Sequence, residues 1–171
     1  MLHVVTYEGP LGFIKPAAAV RDMEIYSQRF LAPSTVEGMR QKLGVTSVDG
    51  VRLYCPALSR TQREMTRGPR PASTRSLERD RSIVDRHLLV NPALHLAFAS
   101  LSDADRAAAQ HLCLCRNEDV VLPTGRETMT HADFDALPGF TFVRDPEGDA
   151  IAGYNRYTDT YDRGYVEYVS S

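Results

Sequence analysis

No stretch of this chain approaches the ~18–20 consecutive apolar residues that a membrane-spanning helix requires, so no span is expected. The opening residues, MLHVVTYEGP, have neither a basic start nor a long apolar run, which argues against a secretion signal. Cysteine is scarce. Cys55, Cys113 and Cys115 make an odd count, which fits free thiols in a reducing cytoplasm better than a disulfide framework. Net charge is nearly absent at −2, which excludes a wholly basic polyanion binder and a disordered acidic tail. There is no phosphate-binding P-loop, no dinucleotide fingerprint and no Gly-x-Ser-x-Gly elbow. No internal repeat is visible. Lysine is also rare: of 20 basic residues, 18 are Arg and only Lys15 and Lys42 are Lys.

What is present suffices for one compact domain. The 171 residues are 43% hydrophobic, enough for a real core. The charges are unevenly placed. Residues 57–86 carry eight Arg against four acids, and residues 117–171 carry four Arg against eleven acids. Arginine suits phosphate because its planar fork donates paired hydrogen bonds. A near-neutral chain can therefore present one phosphate-facing side. The plainer reading of the Arg-rich stretch is a solvated loop.

Along the chain, residues 2–7 read as a strand ended by Gly9-Pro10, and 24–31 as a second extended piece. Ala32-Pro33 bends the chain, and Ser34 or Thr35 is the expected N-cap, with Glu37 at capping-box spacing from Ser34. Val36, Met39 and Leu43 share a helical face that Gly44 closes. Residues 45–55 read as a hairpin turned at Asp49-Gly50. Residues 56–82 show little periodicity, and so long an irregular stretch is often functional. Residues 87–99 form a strand interrupted at Asn91-Pro92. Ser102 is expected to cap a helix running to about Cys115. An extended piece follows at 120–126. A short helix over 133–137 is opened by Thr130 or His131 and ended by Pro138-Gly139. Strands at 140–144 and 150–154 are expected to pair with each other, with a last strand at 165–169.

Four passages occur in an order that resembles a known family. Residues 13–45, FIKPAAAVRDMEIYSQRFLAPSTVEGMRQKLGV, run from an aromatic-basic-Pro start through an Arg-bearing extended piece to Ala-Pro-Ser-Thr and a helix with an early glycine. Thr61-Gln62-Arg63 precedes the strand at 87–98. His111 and Arg116 precede Leu122-Pro123-Thr124-Gly125-Arg126-Glu127. Asp162-Arg163-Gly164-Tyr165-Val166-Glu167-Tyr168 is a weaker fourth echo. This order resembles the CRISPR-associated RAMP proteins of the fifth Cas family, closest in pattern to subtype I-C members. The resemblance implies an α+β, ferredoxin-like (RRM-type) fold in a single domain over 1–171. It places an inserted β-hairpin or thumb at about 46–86 and reduced C-terminal strands at about 140–171. The chain is short for the family.

The implied role is an RNA-binding subunit of a cytoplasmic ribonucleoprotein effector complex in antiviral defence. It would cap the 5′ handle of the guide RNA and dock on the backbone subunit, with a large subunit or effector nuclease as a further partner. No cofactor, metal or membrane is implied. The RNA-contacting residues implied are Arg29, Arg40, Arg60, Arg63, Arg67 and Arg126, with Ser34 and Gly38 at the first helix. Members that cleave RNA carry a tyrosine near the first helix and a lysine-histidine pair on the middle helix. Those positions fall at Gly44, Gln110 and His111. Cleavage through the RNA 2′-OH needs a base, an acid and a cation for the phosphorane. His111 remains as the candidate catalytic residue, but Gln110 neutralises no charge. Binding without efficient cleavage is therefore expected, with a metal-independent processing endoribonuclease as the alternative. A nearby Arg and a displaced tyrosine such as Tyr54 would have to compensate in that case. An interaction module or inhibitor imitating this subunit is a third reading.

Other residues have plainer roles. His111 on an amphipathic helix is commonly a hydrogen-bonded structural histidine. Cys113-x-Cys115 lacks the second pair of a zinc site. The carboxylates at 133, 135, 145, 149, 159 and 162 are too scattered for a cation cage. Tyr154, Tyr157, Tyr161, Tyr165 and Tyr168 have a spacing that suits sheet packing as well as base stacking.

Overall fold

The computed structural model describes residues 1–16, 24–67 and 81–170, and of residues 24, 57–61, 64–67 and 81–84 the backbone alone. Four strands and two helices form the centre. Strand β1 (Leu2–Glu8) leads through two short strands, β2 (Leu11–Gly12) and β3 (Glu24–Tyr26), to helix α1 (Pro33–Leu43) and strand β4 (Gly50–Tyr54). A ribbon of β5 (Ala57–Arg67) and β6 (Arg81–Val90) intervenes before β7 (Ala93–Phe98), α2 (Leu101–Ala108), the short β8 (Leu112–Cys113) and β9 (Val120–Met129). In space the central strands lie β4-β7-β1-β9, every neighbouring pair antiparallel. With α1 between β1 and β4 in the chain and α2 between β7 and β9, this is the βαββαβ ferredoxin-like arrangement.

Alternation along β1 explains the layering. Val5 and Tyr7 face the main core with Met39 and Leu43 of α1 and Ala104 and Ala107 of α2. Leu2 and Val4 belong to a second cluster with Ala97 and Phe134. Period-two side chains on a strand require such a division. The buried Tyr7 hydroxyl donates to the Ala107 carbonyl at 2.6 Å, fastening α2 to the sheet, and burial pushes the Tyr7 pKa upward. The sheet continues past β4 through β10 (Gly139–Arg144), β12 (Thr160–Val169) and β11 (Ala150–Asn155), giving eight strands with β8 at the far edge. Helix α3 (His131–Asp135) covers part of the face opposite α1 and α2, with Phe134 in the second cluster. A Cβ on Gly139, at φ 128°, would lie 2.6 Å from the Leu53 carbonyl oxygen, so glycine permits β10 to join β4.

Several local expectations change. Ala32 caps α1 with Pro33 at its first position, and neither Ser34 nor Thr35 supplies a cap bond. Glu37 turns to Arg40 and Gln41 instead of closing a capping box. Gly44 ends the helix at φ 67°, as its position predicts. Asp49-Gly50 makes no hairpin turn. Asp49 accepts from the Ser47 hydroxyl and the Ala99 N–H, and Gly50 lies in β4 where a Cβ would meet the Phe134 ring at 2.6 Å. The cap of α2 is Ser100, and the helix stops at Ala108 rather than near Cys115. Thr130 and Asp133 form a reciprocal capping box on α3, which Ala136 closes. The 24–31 extension contains only the three residues of β3 as strand. Strands β10 and β11 do not pair with each other, because β12 lies between them. Asn91, at φ 50°, and Pro92 separate β6 from β7, each in its own sheet.

Candidate nucleic-acid interface

The described residues of the stretch without apolar periodicity are nearly all strand. β5 pairs antiparallel with β6, and β6 also pairs with β2 and, in parallel, with β3. The sequence of β5, ALSRTQREMTR, is polar at most positions and has no alternation to reveal it. Thr61-Gln62-Arg63 lies on β5 opposite His87, Arg86 and Asp85. Arg63 donates from Nε to Asp85 Oδ1 at 3.0 Å while remaining 72% exposed. The Arg63 hydrogen bond, with its charge and that of His87, holds the Asp85 carboxyl below its usual range. Arg60 is opposite Leu88 and Arg67 opposite Arg81 in the register. Arg70, Arg75 and Arg79 lie outside the described residues. The thumb expected at about 46–86 overlaps this ribbon, but Gly50–Tyr54 within that range belongs to the main sheet.

At the ribbon's base, Arg116 joins two passages 54 residues apart by donating from Nη1 to Gln62 Oε1 at 3.3 Å. The same guanidinium donates to both oxygens of buried Asp119, at 2.6 and 2.8 Å. Phe13 is buried between Arg86 and Arg116, whose guanidinium carbons lie 5.2 and 5.4 Å from its ring centre. Tyr26 stacks on His87 at 4.0 Å and stays exposed. The sequence singled out Gln62 and Arg116 separately. Phe13 and Arg86 were legible only as an aromatic start and one of many arginines.

Helix α1 lies between two grooves. Ser34 and Gly38 open on one of about 590 Å³, with Lys42, Asn117, Tyr154 and Arg156 among its walls and no carboxylate residue among them. Lys42 and Arg156 are cations that sequence reasoning did not assign. Cys113 and Cys115 also line this groove. Arg40 faces the other groove, of about 570 Å³, beside Glu37, Asp49 and Arg144. Its guanidinium is occupied, donating to both Glu37 oxygens at 2.7 Å and to the Val45 carbonyl at 3.0 Å. Arg40 and then Gln41 draw the Glu37 pKa down to about 2. Arg126 stands apart on β9, paired with Asp105 of α2. Arg29 follows β3 and lies over the Phe140 ring at 5.8 Å.

The three positions aligned with cleavage do not assemble an acid-base set. Gln110 and His111 follow the end of α2 instead of standing on it. The Gln110 amide donates to the Leu43 and Arg106 carbonyls at 3.1 and 3.2 Å, and Arg106 donates to the Gly44 carbonyl at 2.8 Å. Gly44 and Gln110 are thus neighbours in space, joined by structural hydrogen bonds. Arg106 is the arginine near them, and its Nη1 is engaged. Tyr54 lies on β4 opposite Ala93. His111 is exposed. Among the described residues no group of three or more His, Cys, Asp and Glu is placed to hold a metal ion, and no helix is long and apolar enough to cross a membrane.

Comparison with family models finds no match, and comparison with curated proteins finds none. The fold does have a likeness among solved structures. A chain in a structure described as a CRISPR RNA-guided surveillance complex is 14% identical, with a TM-score of 0.52 over 99% of this chain and 89% of that one. At that identity the likeness concerns the fold.

Proposed function

We propose that this chain is a guide-RNA-binding subunit of a CRISPR effector complex, a RAMP protein of the fifth Cas family closest to subtype I-C. It caps the 5′ handle and docks on the backbone subunit. One observation carries the reading. A ferredoxin-like sheet is interrupted between its second and third strands by an arginine-bearing ribbon, in a chain whose fold resembles one from an RNA-guided surveillance complex over nearly its whole length. Two of the four passages that carry the family resemblance, Thr61-Gln62-Arg63 and the Arg116 region, also meet through the Gln62–Arg116 hydrogen bond.

In this reading the ribbon lies over the RNA backbone. Arg63 exchanges Asp85 for phosphate at little cost, since an exposed ion pair is worth only ~0–1 kcal/mol. Ser34, Gly38, Lys42 and Arg156 offer a second contact along the groove beside α1. Phosphate contacts of this kind fix position and register without reading sequence. The chain binds the guide without cutting it, because Gln110 is an amide tied to Leu43 and the tyrosine position is Gly44. The test is equilibrium binding of purified protein to its cognate repeat RNA in EDTA at several salt concentrations. Salt-dependent binding with the RNA left intact is expected. Failure to prefer the handle over unrelated RNA overturns the reading.

A further inference from the structure

A strip of aromatic side chains outside both hydrophobic clusters has no role in the fold's core. Phe140 and Tyr168, opposite each other on β10 and β12, have ring centres 4.5 Å apart with planes tilted by 31°. Phe30 stacks on Phe142 at 5.4 Å one step along the same face. None of the four belongs to the main core or to the cluster under α3. Tyr168 is 56% exposed. Arg29 lies over Phe140 and is itself exposed.

Arg29 differs from Arg40, Arg63 and Arg126, the other arginines expected to meet phosphate whose side chains are described. Arg40 is held by Glu37, Arg63 by Asp85 and Arg126 by Asp105. Among the described residues, Arg29 donates to no carboxylate, carbonyl or hydroxyl. Its position is nevertheless fixed. Ser27 and Gln28, just before it, bond through their N–H groups to the His87 and Ile14 carbonyls at 2.9 and 2.8 Å, so the chain leaves the ribbon's base in a set direction. The strip is thereby continuous with the arginine-bearing sheet.

We infer that Arg29, Phe140 and Tyr168 bind one unpaired nucleotide of the RNA. The base stacks on the open face of Tyr168, and its phosphate accepts from the Arg29 guanidinium, which Phe140 supports from beneath. Every base has a π-face, so this contact selects unstacked nucleotides rather than a particular base. The charge fits an RNA occupant: of Phe30, Phe140, Phe142, Tyr168 and Arg29, the ionic one is a cation whose donors are free among the described residues. This inference rests on the RNA-binding reading above.

The experiment is fluorescence anisotropy with labelled cognate repeat RNA and a set of copies each lacking one base. Tyr168→Ala is expected to weaken binding by about 5- to 150-fold at unchanged salt slope, and Tyr168→Phe to bind like the unaltered chain. Arg29→Ala is expected to weaken binding and lower the slope by about one. One abasic position should cost as much as Tyr168→Ala, and the two losses should not add. Thermal melts confirm that each variant folds, as the exposure of both side chains predicts. If the unaltered chain does not bind handle RNA, both the RNA reading and this inference fall. If it binds and Tyr168→Ala leaves affinity unchanged, the inference alone falls.

Discussion

Arg116 and Gln62 are hydrogen-bonded at 3.3 Å across the junction between ribbon and sheet, and the same guanidinium neutralises Asp119, which is 1% exposed. Two jobs of unequal weight follow. Arg116→Ala strands a buried carboxylate and is expected to lower unfolding free energy by about 3 kcal/mol. Gln62→Ala loses one partly exposed hydrogen bond, about 1 kcal/mol. Urea unfolding of both variants checks the ordering, and near-equal losses contradict it.

The ribbon should carry a separable part of the affinity. Replacing Arg60, Arg63 and Arg67 together is expected to weaken binding to repeat RNA and reduce the salt slope by about two to three units, one per phosphate. Slopes measured from low to moderate salt decide it. An unchanged slope removes the ribbon from the interface.

Gly38 has room that packing does not use. A Cβ there meets only the Tyr157 hydroxyl oxygen, at an ordinary 3.7 Å. Gly38→Ala is therefore expected to raise stability by about 1 kcal/mol through helix propensity. Gly38→Val should impair RNA binding more than melting temperature. A collapse of melting temperature with Gly38→Val would show that the residue serves the core.

His95 makes stability pH-dependent in a known direction. It is half-buried on β7 with its Nδ1 3.0 Å from the Thr6 hydroxyl, and desolvation lowers its pKa from the ordinary 6.5. Arg52 lowers it further, and Glu8 and Glu127 oppose the shift. The unfolded chain takes up the proton first as pH falls, so this contribution is constant well above 6.5 and is lost as pH drops through and below that value. Urea titrations across that window should show the fall, and His95→Gln should flatten it. A stability that rises on acidification through the window contradicts the assignment.

Cleavage is expected to be slight or absent. Losing a charge-stabilising donor costs ~10²–10³ in rate, and the amide of Gln110 is already engaged. His111→Ala should leave guide binding nearly intact. Near-stoichiometric or multiple-turnover cleavage in EDTA, abolished by His111→Ala, would restore the nuclease alternative.

Where one face of an element is buried, the sequence was legible. Val36, Met39 and Leu43 described α1, and Gly44 its end, because an amphipathic helix and a left-handed residue leave local marks. Strand β5 was illegible because polar residues at most of its positions leave no period to mark a strand. Asp49-Gly50 misled because the glycine answers a distant ring, Phe134, rather than a turn. Ser34 yielded its cap to Ala32 because Pro33 needs no donor partner at the first helical position. Of the candidate site, residue types were readable and neighbours were not. Glu37, three residues before Arg40, is a local mark of that pair that the capping-box reading passed over, whereas nothing local shows that Arg29 keeps its donors free among the described residues.

The placement of β12 between β10 and β11 has a consequence for synthesis. Both outer strands leave the ribosome before the one strand that pairs with them along their length, and β10 meets β4 only at Phe140 and Leu53. In a nascent chain halted before Thr160, β10 has only its short pairing with β4, and among the described strands β11 has no partner. The extension cannot close until its middle strand arrives.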